Sequence, residues 1–200
     1  MTQRIHRLIV DCTSRLFSAY GVVLRPANTF GDAAPVTIDP LDSNLAAAAI
    51  ELRGVRSGPR PSPPGRLLFV SSFELVAKSR PPHGHDTPLS TTSAGDWIYV
   101  RDWTRELTNQ LAGSVTNHLA GSGAYFSPRQ PAALNAAAAR LEMRSLGGVN
   151  VRFVSDDKRD VYVVLALPPE EDRPSGARLS GAGEVAGPGS VVMLDGDDDA

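Results

Sequence analysis

The sequence predicts an α/β two-layer (α+β) domain, a mainly antiparallel sheet with the long helices packed on one face. Two patterns carry that reading. Residues 3–20 and 102–121 each place apolar side chains at steps of three and four, so each helix has one apolar stripe to lay on a sheet. The segments 45–55, 66–71, 149–154 and 161–167 are strand-like, and the last two flank the polar run SDDKRD, a connection that suits an antiparallel hairpin.

Of the 200 residues, 1–168 are read as the domain and 169–200 as a disordered acidic Pro/Gly-rich tail. Such a stretch buries too little apolar surface to offset its ordering entropy. Its eight acids against two arginines leave the domain mildly basic. The excess is scattered and forms no basic stripe interleaved with aromatics, so nucleic acid is not an expected partner. A single cysteine, Cys12, excludes an internal disulfide framework. No run approaches the ~20 apolar residues that cross a bilayer, and the N-terminus, despite Arg4 and Arg7, lacks the long apolar core of a signal peptide. A cytoplasmic protein without a membrane segment is expected.

Along the chain, Ile5, Leu8, Ile9, Cys12, Leu16, Phe17 and Tyr20 form the stripe of the first helix, with Gly21 as its stop. Cys12 lies on that stripe and reads as a small core residue. LAAAAIELRGV and RLLFVS follow as strands, although the alanine run also favours helix. The SGPRPSPPG segment between them is long for a hairpin and reads as a projecting flexible loop. Phe73 to Ser79 begins a short helix before a second loop, residues 80–96. After the second long helix, FSPRQPAALNAAAARLEM supports a short helix through its alanines, and its prolines interrupt any longer one. The continuous apolar run of VYVVLAL marks a strand central in the sheet or buried on both faces.

The helix at 102–121 is the most informative segment, with Asp102 as its expected N-cap and Gly121 or Gly123 as its stop. Trp103, Leu107, Leu111, Val115 and Leu119 make its core stripe. Glu106, Asn109, Gly113 and Asn117 cluster roughly 200° from the middle of that stripe, at about 100° per residue, and so face solvent or a partner. Glu106 and Asn109, three apart, are neighbours. A glycine inside a helix costs up to ~1 kcal/mol against alanine, so Gly113 suggests a place where another molecule comes close. From spacing alone, a chance glycine on a solvated face is the simpler reading.

RELTNQLAGSVTNHL resembles the signature helix of the CheC, CheX and FliY phosphatases, a Glu-x-x-Asn pair followed four residues later by glycine. The order of the other elements, over residues 3–168, is also similar to CheX, and the single copy of the motif favours the CheX type over CheC. The resemblance implies hydrolysis of the aspartyl phosphate of a CheY-like receiver domain, with Asn109 orienting water and Glu106 docking the receiver's lysine. Gly113 would line the contact, and the helix wheel adds Asn117. No cofactor of the chain's own is implied; Mg2+ would come with the phosphorylated receiver. The resemblance further implies a homodimer. The competing class is a noncatalytic module that uses the same helix to dock a receiver or another signalling partner.

Other constellations carry less. His83, His85 and Asp86 are spaced like metal ligands but lie in a polar loop without companions nearby. His118 falls within the apolar arc of its helix and reads as a buried or boundary histidine. No Gly-x-Ser-x-Gly elbow is present, Cys12 has no evident base, and the tail glycines follow no strand.

Overall fold

The structure, a computed structural model, describes residues 2–27, 44–55, 63–80 and 89–169. The expectations for the Pro-rich loop, for His83, His85 and Asp86, and for the tail beyond residue 169 lie outside the described residues. In chain order the elements are α1 (Thr2–Ala19), β1 (Leu24–Pro26), β2 (Leu45–Gly54), β3 (Gly65–Ser72), α2 (Phe73–Lys78), α3 (Ala94–Gly121), β4 (Phe126–Pro128), β5 (Ala132–Leu134), α4 (Ala136–Ser145), β6 (Val149–Ser155) and β7 (Asp160–Ala166).

The described strands form one seven-stranded sheet in the order β1-β6-β7-β3-β2-β4, with β5 pairing β2 at Ala47–Ala49, separately from β4, which pairs Leu52–Gly54. Every pairing among the described strands is antiparallel. β7 lies between β6 and β3 and is buried from Val161 through Leu165, as its unbroken apolar run required. Its hairpin with β6 is fastened by Arg152, whose Nε and Nη2 each lie 3.0 Å from an Asp160 carboxylate oxygen.

The two long helices, α1 and α3, share one face of the sheet. Ile9 and Phe17 of α1 and Leu107, Leu111 and Val115 of α3 pack there on Ile50, Leu67, Phe69, Phe153 and Val163. Phe17 and Phe69 stack with centroids 5.9 Å apart. α1 ends where Gly21, at φ +72°, lets the chain turn back, with Val22 N–H donating to Phe17 O at 3.0 Å. Burial pushes the Cys12 thiol above its ordinary pKa, partly countered by the Ser114 hydroxyl that donates to its sulfur at 3.3 Å. Cys12 is thus a core residue.

The short α4 covers the opposite face, where Ala139 and Met143 pack on Ala47, Ala49, Leu68, Val70, Tyr162 and Val164. An Arg66–Glu142 ion pair, 2.6 Å at its shorter contact, ties α4 to β3. The alanine run of β2 is therefore strand, because small side chains on both faces suit a layer covered from both sides, and this tertiary demand overrides helix propensity.

Two boundaries differ from expectation. α3 starts at Ala94, eight residues before Asp102, so the expected second loop ends early. Ser93 is the N-cap, its Oγ accepting from Asp96 N–H at 3.3 Å, while the Asp96 carboxylate accepts from Ser90 N–H at 2.7 Å. Asp102 is instead an exposed mid-helix residue paired with Arg105. The connection after α3 contains β4 and β5, which the sequence did not reveal: each has three residues, too few for a period.

Gly148, at the entry to β6, leaves no space for a side chain: a Cβ there would sit 2.6 Å from Leu165 O and 2.9 Å from Ala166 Cα. Gly148→Ala is expected to lower stability by about 1–3 kcal/mol, the scale of overpacking, read as a lowered urea midpoint.

Candidate functional site

α3 is amphipathic in a way that fixes what it shows. Val100, Leu107, Leu111, Ala112 and Val115 are fully buried. Thr104 and Thr108 are buried too, their hydroxyls donating to the carbonyls of Val100 (2.6 Å) and Thr104 (2.8 Å), so that the polar atoms are satisfied inside the helix. The buried arc is broader than the expected stripe. Trp103, placed on that stripe, lies at its edge and is only half-buried.

Glu106, Asn109 and Asn117 are exposed, and Gly113 is half-buried between them. The helix thus brings all four candidate residues onto one outward face. A Cβ on Gly113 would meet nothing within 4 Å, so the fold does not itself need glycine there. Glu106 accepts a hydrogen bond from Gln110 Nε2 at 2.8 Å. Asn109 makes no side-chain hydrogen bond among the described residues.

Glu106 and Asn109 form one side of an open depression of ≈ 420 Å³, whose other walls are Asp102, Arg105, Gln130 and Pro131. Gln130 and Pro131 belong to the corner between β4 and β5. That corner is held by Arg129 N–H on Glu51 O at 2.9 Å and by Arg105 Nε on Pro131 O at 3.1 Å. The site therefore has a helical floor and a fixed wall. Gln110 could have been found from its position four residues after Glu106; Gln130 and Pro131 could not, since only β4 and β5 bring them near α3.

His118, expected to be a buried or boundary histidine, is instead exposed. Its Nδ1 donates back to Ser114 O at 2.8 Å and lies 3.9 Å from Cys12 Sγ, away from the pair. Among the described residues no group of three or more His, Cys, Asp or Glu side chains comes together as a metal site. No helix among them is long and apolar enough to cross a membrane.

This sheet, with α1 and α3 on one face, has the fold of the CheX and CheC-like chemotaxis proteins. CheX of Borrelia burgdorferi, in a structure of the CheX-CheY-BeF3-Mg2+ complex, superposes with a TM-score of 0.55 at 15% identity over 82% of this chain and 97% of that one. A CheC-like superfamily protein from Shewanella sp. PV-4 gives 0.51 at 15% identity, covering 80% and 94%. CheX from Vibrio vulnificus gives 0.50 at 14%, covering 80% and 92%. No family model matches the sequence, and no curated protein matches it.

Because open space surrounds Gly113, Gly113→Ala is expected to raise stability by about 1 kcal/mol through helix propensity, seen as a higher urea midpoint.

Proposed function

We propose that this chain accelerates hydrolysis of the aspartyl phosphate on a CheY-like receiver domain. The observation that carries the reading is the placement of Glu106 and Asn109 side by side on the outward face of α3, above a depression open enough to receive a partner. The shared fold with a CheX that has been seen bound to CheY supports the choice of partner.

The reaction needs a water attacking phosphorus in line as the bond to the aspartyl oxygen breaks, releasing inorganic phosphate and the free carboxylate. Positioning contributes most in such a step. Asn109 offers an acceptor and donors on one rigid plane and orients the water without adding negative charge beside the phosphoryl group. The receiver brings its own Mg2+ and lysine. Glu106 pairs with that lysine at a partly desolvated interface, where an ion pair fixes register and slows dissociation. Gly113 and Asn117 line the same contact, and the active species is a homodimer in the cytoplasm.

Receiver domains from the same genome, phosphorylated with acetyl phosphate, are expected to include one whose decay is faster in the presence of this chain. Asn109→Ala should abolish that acceleration and leave affinity for the BeF3−-activated receiver nearly unchanged. Glu106→Ala should weaken both, with affinity falling about tenfold or more, which corresponds to about 1.4 kcal/mol. An unchanged dephosphorylation rate in Asn109→Ala would refute the catalytic assignment. Tight binding by the wild-type chain with no change in decay would identify a noncatalytic docking module instead.

A further inference from the structure

We infer that Tyr20 and Gln110 form a positioning relay that holds Glu106 in its docking conformation. The inference rests on the proposed role of Glu106 as the group that grips the receiver. Glu106 Oε1 accepts from Gln110 Nε2 at 2.8 Å, and Gln110 Oε1 lies 2.9 Å from the Tyr20 hydroxyl. The direction of this chain follows from chemistry. An ionised carboxylate only accepts, so Gln110 must turn its NH2 toward Glu106, which leaves its carbonyl oxygen for Tyr20 and makes the phenol the donor.

Tyr20 is itself firmly placed. It follows the last residue of α1, where its N–H donates to Phe17 O at 3.0 Å, and Phe17 is wholly buried. Its ring meets Trp103 edge-on, with centroids 5.1 Å apart at 87°. The indole is in turn pinned through Nε1 to Ser79 Oγ at 3.2 Å, and that hydroxyl donates to Val76 O at 2.9 Å. The orientation of Glu106 is thus tied to the junction of α1, α2 and α3. One carboxylate oxygen is engaged by Gln110, while Oε2, with no partner among the described residues, is left for a cation. Asn109 stands outside the relay. The relay lowers the ordering cost of docking, so it acts on affinity and leaves the water-orienting step alone.

Tyr20→Phe removes the hydroxyl and keeps the ring on Trp103. It is expected to weaken affinity for the BeF3−-activated receiver, and to raise KM, by roughly threefold to tenfold, the scale of ordering one rotamer-rich side chain at an interface, with kcat essentially unchanged. Gln110→Ala should do the same. In a Glu106→Ala background, Tyr20→Phe should have no further effect. Unchanged affinity in Tyr20→Phe, an equal loss in the Glu106→Ala background, or a fall in kcat at constant KM would overturn the relay. The side-chain NH2 resonances of Gln110 give a second measurement that needs no receiver: they should move in both Tyr20→Phe and Glu106→Ala, and resonances that stay put in either would also overturn it. If they move but no receiver binds the wild-type chain, the hydrogen-bonded chain from Tyr20 to Glu106 stands and the docking role proposed for Glu106 fails.

Discussion

The burial of one side of α3 against the sheet is the constraint on which the rest depends. Leu107, Leu111 and Val115 are fully enclosed, each contributing about 1.5–3 kcal/mol relative to exposure. Rotating the helix by one residue, about 100°, would withdraw several of these side chains and turn polar ones toward Phe69 and its neighbours. No surface interaction among the described residues offsets that. The outward aim of Glu106 and Asn109 is therefore set by the core, and the buried threonines do not weaken it, since their hydroxyls bond within α3.

The same helix is steadied at both ends and along its flank. Ser93 caps its start, and Gly123, at φ +87°, closes its end, with Ala124 N–H donating to Leu119 O at 3.0 Å. Beside the site, Arg105 reaches across to the carbonyl of Pro131, so the β4–β5 corner is fixed against α3. β4 and β5 in turn rest on opposite ends of β2, whose alanines allow helices to approach from both faces. A residue pattern that looked ambiguous in isolation thus supports the geometry of the depression from beneath.

What was legible in the sequence is what periodicity encodes. The stripes of α1 and α3, the strands with sustained apolar runs and the exposed side of residues 106–117 were all readable, because each spans several repeats of its period. The true start of α3 was missed: Asp102 offered a plausible cap, yet the signal STTSAGD contained the better one, Ser93 three residues before Asp96. β1, β4 and β5 were invisible because three residues carry no period and their pairing is decided by distant partners. The site divides the same way. Its helical face followed from spacing, while Gln130, Pro131 and Tyr20 join it only through tertiary contacts between segments far apart in the chain.

The two central side chains also differ in how they are held, and the difference fits the chemistry proposed for them. A group that orients water must keep donor and acceptor both available, because one of them meets the water and the other meets the phosphoryl group or its surroundings. Asn109 has that freedom among the described residues. A group that grips a cation gains from being fixed beforehand, since every torsion frozen on docking subtracts from affinity. Glu106 has that restraint, through Gln110 and the phenol of Tyr20. The restraint comes from Tyr20, just after α1, an element buried by its own apolar stripe, so the conformation proposed for docking would be backed by the core, whereas the orientation of Asn109 is left open.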